Sequence, residues 1–163
     1  MKLCSILYYT VQDSERKRNI ALITACGGRK SKTKTKAYLL YTSARIRHLY
    51  KQSKTLGVDF YILSAKYGLV HCEEEIEPYD EIMSKEKCKE LKKEVMEKLK
   101  NFDSVVFYKG GARREYLECL EECCKELGIE LLSFGFGQMG GIREVGSIII
   151  SRQGSQQGGH KQR

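Results

Sequence analysis

Three short segments of the chain hold residue types that could bind or transform an anionic ligand. The first, Cys26-Gly27-Gly28-Arg29-Lys30, joins a thiol to two glycines and two cations. Glycines let backbone N–H groups approach an anion closely and neighbouring cations neutralise it, so Gly27, Gly28, Arg29 and Lys30 form a candidate phosphate cradle. Cys26, with basic neighbours that favour a reactive thiolate, is a candidate nucleophile or redox-sensitive thiol. The spacing matches neither the nucleotide-triphosphate loop, with four residues between its glycines, nor the dinucleotide fingerprint. A tight turn beside a basic loop fits the same residues.

The second segment is Leu63-Ser64-Ala65-Lys66-Tyr67-Gly68-Leu69-Val70, running on to Glu77-Pro78-Tyr79-Asp80. Lys66 could neutralise a phosphate or donate a proton, Tyr67 and Tyr79 offer ring faces to a base, and Asp80 would serve as general base if the fold buries it. A structural reading competes, in which Ser64 caps the following turn, Tyr67 packs, Pro78 stiffens a loop and Asp80 caps a helix starting near Glu81. The third segment, Lys109-Gly110-Gly111-Ala112-Arg113-Arg114, places a glycine pair where a strand gives way to a helix. Cations in a first helical turn oppose the helix dipole unless an anion binds nearby.

The elements that must position these segments follow from apolar periodicity. Residues 20–24, 59–63, 104–108 and 129–134 read as strands, with 3–9 a further candidate, edge strand or lead-in. Helices are expected at 37–56, stopped by Gly57, at 84–100 behind the Ser84 cap, and at 112–127, closed by Gly128. The apolar run 145–150 could add a last strand, and residues 151–163 form a polar Gln/Gly/Ser tail expected to be disordered. Strands alternating with helices imply βαβ units, hence a three-layer, Rossmann-like α/β fold with a mostly parallel central sheet, one domain over residues 1–150.

Composition sets the limits on function. The 163 residues carry 29 Lys plus Arg against 21 Asp plus Glu, and 13 of those cations fall in residues 1–56 against only Asp13 and Glu15, a local balance of +11. A polyanionic partner is therefore expected at the N-terminal third, although solubilising lysine loops would give the same count. No run approaches the ~20 apolar residues of a membrane span, and no export signal is legible, so a cytoplasmic protein without a membrane partner is expected. The seven cysteines are expected to be reduced and mostly buried. No Cys or His spacing marks a zinc site, so neither a metal nor a cofactor is expected.

Taken together, several of these motifs resemble a known family. Leu63-Ser64-Ala65-Lys66-Tyr67-Gly68-Leu69 followed by Ile76-Glu77-Pro78-Tyr79-Asp80, with Cys26-Gly27-Gly28-Arg29-Lys30, Leu40-Tyr41-Thr42-Ser43 and the glycines of 135–141, is similar to the signature of small domains of the YaaA-like peroxide-stress superfamily. The resemblance spans most of residues 20–142 and implies a connection with DNA, oxidative stress or deazaguanine-type base modification, with no settled reaction. Three functions stay open: a protein directed at a nucleic acid (DNA or RNA) or nucleotide and acting on a nucleobase or glycosidic bond, through Lys66, Asp80 and Cys26; a non-catalytic DNA-binding module; and a soluble enzyme acting on a free nucleotide. Oligomeric state is left open.

Overall fold

The computed structural model describes residues 18–28 and 30–154, so the expected strand at 3–9, Arg29 and the tail beyond residue 154 lie outside the described residues. The chain runs β1 (Ile20–Ala25), β2 (Thr35–Lys36), α1 (Ala37–Leu40), α2 (Ala44–Leu56), β3 (Asp59–Ser64), β4 (Gly68–His71), β5 (Glu75–Ile76), α3 (Lys85–Leu99), β6 (Ser104–Tyr108), α4 (Arg114–Leu127), β7 (Glu130–Phe134) and α5 (Val145–Gln153). The main sheet has the order β4-β3-β1-β6-β7. Its β1–β3, β1–β6 and β6–β7 pairs are parallel, and only the edge strand β4 runs antiparallel. This is the mostly parallel three-layer α/β architecture that the alternation of strands and helices predicts.

β1 occupies the centre of the sheet, and all six of its residues are buried. Alternate side chains serve opposite layers. Ala21, Ile23 and Ala25, with Val105 and Phe107, pack under Cys88, Val95 and Leu99 of α3 and Leu120 of α4. Ile20 and Leu22, with Val106 and Tyr108, face Leu40 of α1, Ile46 and Leu49 of α2, and Val145 and Ile149 of α5. Each such large side chain contributes about 1.5–3 kcal/mol through burial.

Three features depart from the expectations. The helix expected over 37–56 breaks at Tyr41, whose backbone is extended, and restarts behind the Ser43 cap, which accepts a hydrogen bond from the Ile46 N–H at 3.4 Å. The run 145–150 is helical, because a six-residue apolar run does not separate strand from helix. Gly141, at φ 71°, and a 3-10 turn lead directly into α5, which buries Val145 and Ile149 one turn apart. The structural reading of the segment after β3 holds for Ser64, which caps a tight hairpin turn into β4: its Oγ accepts from the N–H groups of Lys66 (3.1 Å) and Tyr67 (3.0 Å), and Gly68 takes φ 77°. Finally, Cys88 and Cys119 form a disulfide joining α3 to α4, against the expectation of reduced thiols. Side-by-side packing of the two helices brings their Cα atoms to 5.7 Å across 31 residues of sequence, a proximity that spacing alone does not reveal. Burial is as expected for Cys72, Cys123 and Cys124, and it pushes their thiols up to about 11, about 11 and about 12.

A close approach fixes the sheet to the C-terminal loop. The fully buried Tyr108 ring at the end of β6 lies between Gly110 and Gly135, where an added Cβ at either position would overlap it. Its hydroxyl donates to the Gly140 carbonyl at 2.9 Å, and its own carbonyl accepts from Thr24 Oγ1 at 3.0 Å.

On the opposite edge, Glu73 gathers Lys54 (2.9 Å), the Tyr50 hydroxyl (2.7 Å) and Lys36 (3.3 Å). The Lys54 and Tyr50 hydrogen bonds, with a further one from Lys36, hold its carboxyl at about 2, against 4.5 ordinarily. A lowered folded-state pKa stabilises the fold above the unfolded value, and that contribution fades as pH falls from about 4.5 through about 2. Urea unfolding of wild type and Glu73→Gln should therefore show a stability gap at pH 7 that closes progressively below pH 4.5. A gap of constant size from pH 7 to 2 would contradict the assignment.

Candidate functional site

In an open parallel sheet, ligands bind beyond the carboxyl ends of the strands. Here a cavity of about 390 Å³ lies beyond β1 and β6, lined by Cys26, Gly27 and Gly28, by Thr42 to Arg45, and by Gly111, Gln138 and Met139. The break after α1 makes it: had 37–56 continued as one helix, Ser43 would sit in mid-helix rather than open the first turn of α2 onto the cavity. That first turn contains no acidic residue but two arginines, Arg45 and Arg47. Cations at a helix N-terminus oppose the macrodipole, so the arrangement suits an anion held nearby.

Arg45 forms the floor. It is 7 % exposed, and its Nη1 donates to Thr24 Oγ1 at 2.7 Å and the Ala25 carbonyl at 2.8 Å. Both acceptors are neutral, and no carboxylate among the described residues lies within ion-pair distance of the guanidinium. Burial lowers its pKa from the ordinary arginine value, and Cys26, Tyr108 and Tyr116 act in the opposite sense. A guanidinium remains protonated even so. Buried charges are normally paired; this one has its Nη2 beside Gly27 and its Nε beside Gly111, along the cavity wall.

The glycines of the first segment add a second observation. Neither Gly27 nor Gly28 takes a positive φ, and an added Cβ would meet ordinary contacts at Gly27 and nothing within 4 Å at Gly28. Protein packing therefore does not demand glycine at either position, whereas close approach of a ligand to the backbone would.

On the other side of Cys26 lies a tyrosine cluster. Cys26 Sγ is 3.1 Å from the Tyr116 hydroxyl, and its N–H donates to the Leu63 carbonyl at 3.0 Å. Tyr41 and Tyr79 share a hydrogen bond between their hydroxyls at 2.5 Å, and Tyr67 meets Tyr79 edge to face. Lys30 Nζ stands 4.5 Å from the Tyr79 ring centre and Lys66 Nζ 5.3 Å from that of Tyr67. Burial, reinforced by Cys26, raises the pKa of Tyr41, Tyr79 and Tyr116, so these phenols stay protonated and act as hydrogen-bonding partners.

The structure thus divides the expected site residues. Cys26, Gly27, Gly28 and Gly111 line the cavity, while Lys30, Lys66, Tyr67 and Tyr79 assemble beside it. Ser64 is fully buried and caps its turn. Asp80 is exposed and so lacks the burial that a base role asked for; α3 is capped by Ser84, not by Asp80. Lys109 is exposed, and Gly110 makes room for Tyr108. Thr24, Arg45, Gln138 and Met139 were not singled out by sequence reasoning, and Ser43 entered only as part of a family motif, with no site role. The Leu40-Tyr41-Thr42-Ser43 motif was the available signal, since Thr-Ser ahead of an apolar periodic run marks a helix start. Among the described residues, no group of three or more His, Cys, Asp or Glu side chains could hold a metal, and no helix is long and apolar enough to cross a membrane.

A five-stranded, mostly parallel sheet between two helical layers, with a polar hollow beyond the central strands, defines a Rossmann-like α/β protein. Within that class the chain belongs to DUF6884, described as a family of unknown function, whose model matches residues 20–140. All residues lining the Arg45 cavity fall inside the matched span. Neither the curated proteins nor the solved structures include a match to this chain.

Proposed function

We propose that this DUF6884 protein is a nucleotide-directed, YaaA-like protein that seats a phosphate in the Arg45 cavity. The observation that carries the reading is a buried guanidinium with no carboxylate partner among the described residues, at a helix start and beside two glycines that packing does not require. The nucleoside would extend past Cys26 toward Tyr67 and Tyr79. Of the three groups expected to act chemically, Cys26 alone lines the cavity, so chemistry on the base or glycosidic bond would be centred there. Lys32 and Lys34, exposed on the loop that follows Lys30, would supply attraction for a nucleic acid carrying the same phosphate.

The test is thermal unfolding with inorganic phosphate and with nucleoside monophosphates, against chloride at matched ionic strength. A ligand at a hundred times its Kd stabilises by about 2.7 kcal/mol. For a chain of this size that is a Tm rise of roughly 5–10 °C. Absence of any shift beyond the chloride control, for phosphate and every nucleotide, would refute the reading.

A further inference from the structure

A second cavity, of about 430 Å³, opens beside the first and shares Thr42, Ser43, Ala44 and Met139 with it. The charged side chains lining it are Arg47 and Lys51, joined by His48. Arg47 and Lys51 are four residues apart, hence on one face of α2 one turn from each other. Neither forms an ion pair with a carboxylate among the described residues, whereas Lys54, the next cation along the helix, is held by Glu73. His48 Nε2 is shut off from solvent and has no hydrogen-bond partner there. A hollow whose charges are all cationic, continuous with one floored by a buried arginine, suits a second anionic group on the same molecule.

We propose that the Arg47/Lys51 cavity receives a second phosphate of the ligand whose first phosphate occupies the Arg45 cavity, so that the ligand carries two linked phosphates. The proposal rests on the phosphate reading of the Arg45 cavity and narrows it. Two sources share this chemistry: a nucleoside diphosphate, and a strand with a 5′-phosphate followed by its first phosphodiester. In either case the ligand leaves the Arg45 cavity over the first turn of α2, past Ser43 and Met139.

Calorimetric titration at one low salt concentration tests this with adenosine monophosphate, adenosine diphosphate, and a trinucleotide with and without its 5′-phosphate. The proteins are wild type and the double variant Arg47→Gln/Lys51→Gln, whose exposed side chains are replaceable without opening the core. Charge-assisted hydrogen bonds to the second phosphate should make wild type bind the diphosphate, or the 5′-phosphorylated trinucleotide over its unphosphorylated form, about tenfold or more tightly. The double variant should lose that discrimination. Preference for the diphosphate alone identifies a free nucleotide as the source, and preference for the 5′-phosphorylated strand identifies a nucleic-acid end; both support two linked phosphates. Equal wild-type affinity for mono- and diphosphate, with no 5′-phosphate effect, overturns this inference and leaves the Arg45 reading intact. Discrimination that survives in the double variant overturns it in the same way. If wild type binds none of the four, this inference falls, and the Arg45 reading falls with it when inorganic phosphate and the other nucleoside monophosphates also give no thermal shift.

Discussion

Replacing Arg45 with methionine is expected to remove phosphate-dependent stabilisation while leaving a folded protein. Methionine keeps the length and apolar stem of the side chain but deletes the charge. The Ala25 carbonyl loses this donor, at about 1–3 kcal/mol for a buried group left unsatisfied, while Thr24 Oγ1 keeps its bond to the Tyr108 carbonyl. Against that, the variant no longer buries a cation without a carboxylate partner, which offsets part of the loss. The expected net change in unliganded stability is therefore below about 2 kcal/mol. Binding behaves differently, because hydrogen bonds from a charged donor to an anion contribute about 1.5–3 kcal/mol, a tenfold to 150-fold change in Kd. Arg45→Lys should fall between the two, since an ammonium cannot serve Thr24, Ala25 and a ligand with a planar fork of donors. Phosphate titrations followed by Tm read all three proteins. A methionine variant with the full wild-type shift would assign Arg45 to the fold alone.

The second large effect concerns Gly135. Alanine there must adopt φ 99°, which L-residues rarely do, and its Cβ must displace the Tyr108 ring, which has no room to move between Gly110 and the sheet. Backbone strain of about 1–3 kcal/mol and overpacking of similar size give an expected loss of roughly 2–5 kcal/mol in urea unfolding. Gly57→Ala is the control: φ is also positive, at 70°, but an added Cβ meets nothing within 4 Å, so only the strain applies. Shrinking the ring with Tyr108→Leu in the Gly135→Ala background should recover part of the loss non-additively. If the two substitutions simply add, overlap with Tyr108 is not the cause.

Where sequence reading succeeded, one physical signal dominated. β1 and β6 are short apolar runs bounded by polar turns, and α3 and α4 carry a serine cap and a glycine stop at the expected places. It failed where a tertiary contact decided. Nothing in 145–150 announces that Gly141 and a 3-10 turn feed it as a helix. Arg45 is a cation by type, yet it shares a buried face with Leu49, one turn on. The candidate site was half visible for the same reason: the glycine loops stand out by composition, whereas the arginine between them is recognisable only through its contacts with Thr24 and Ala25 of β1, far away in sequence.

The placement of β1 also governs how this chain comes off the ribosome. Its partner β3 follows within forty residues, but β6, which covers its other edge, begins only at Ser104, and the bond from Thr24 to Tyr108 spans 84 positions. Until then a nascent chain holds a strand of five apolar residues and Thr24 with one side of its hydrogen-bonding ladder open, a template for pairing with a neighbouring polypeptide. Premature termination before β6 would thus leave a fragment prone to aggregate.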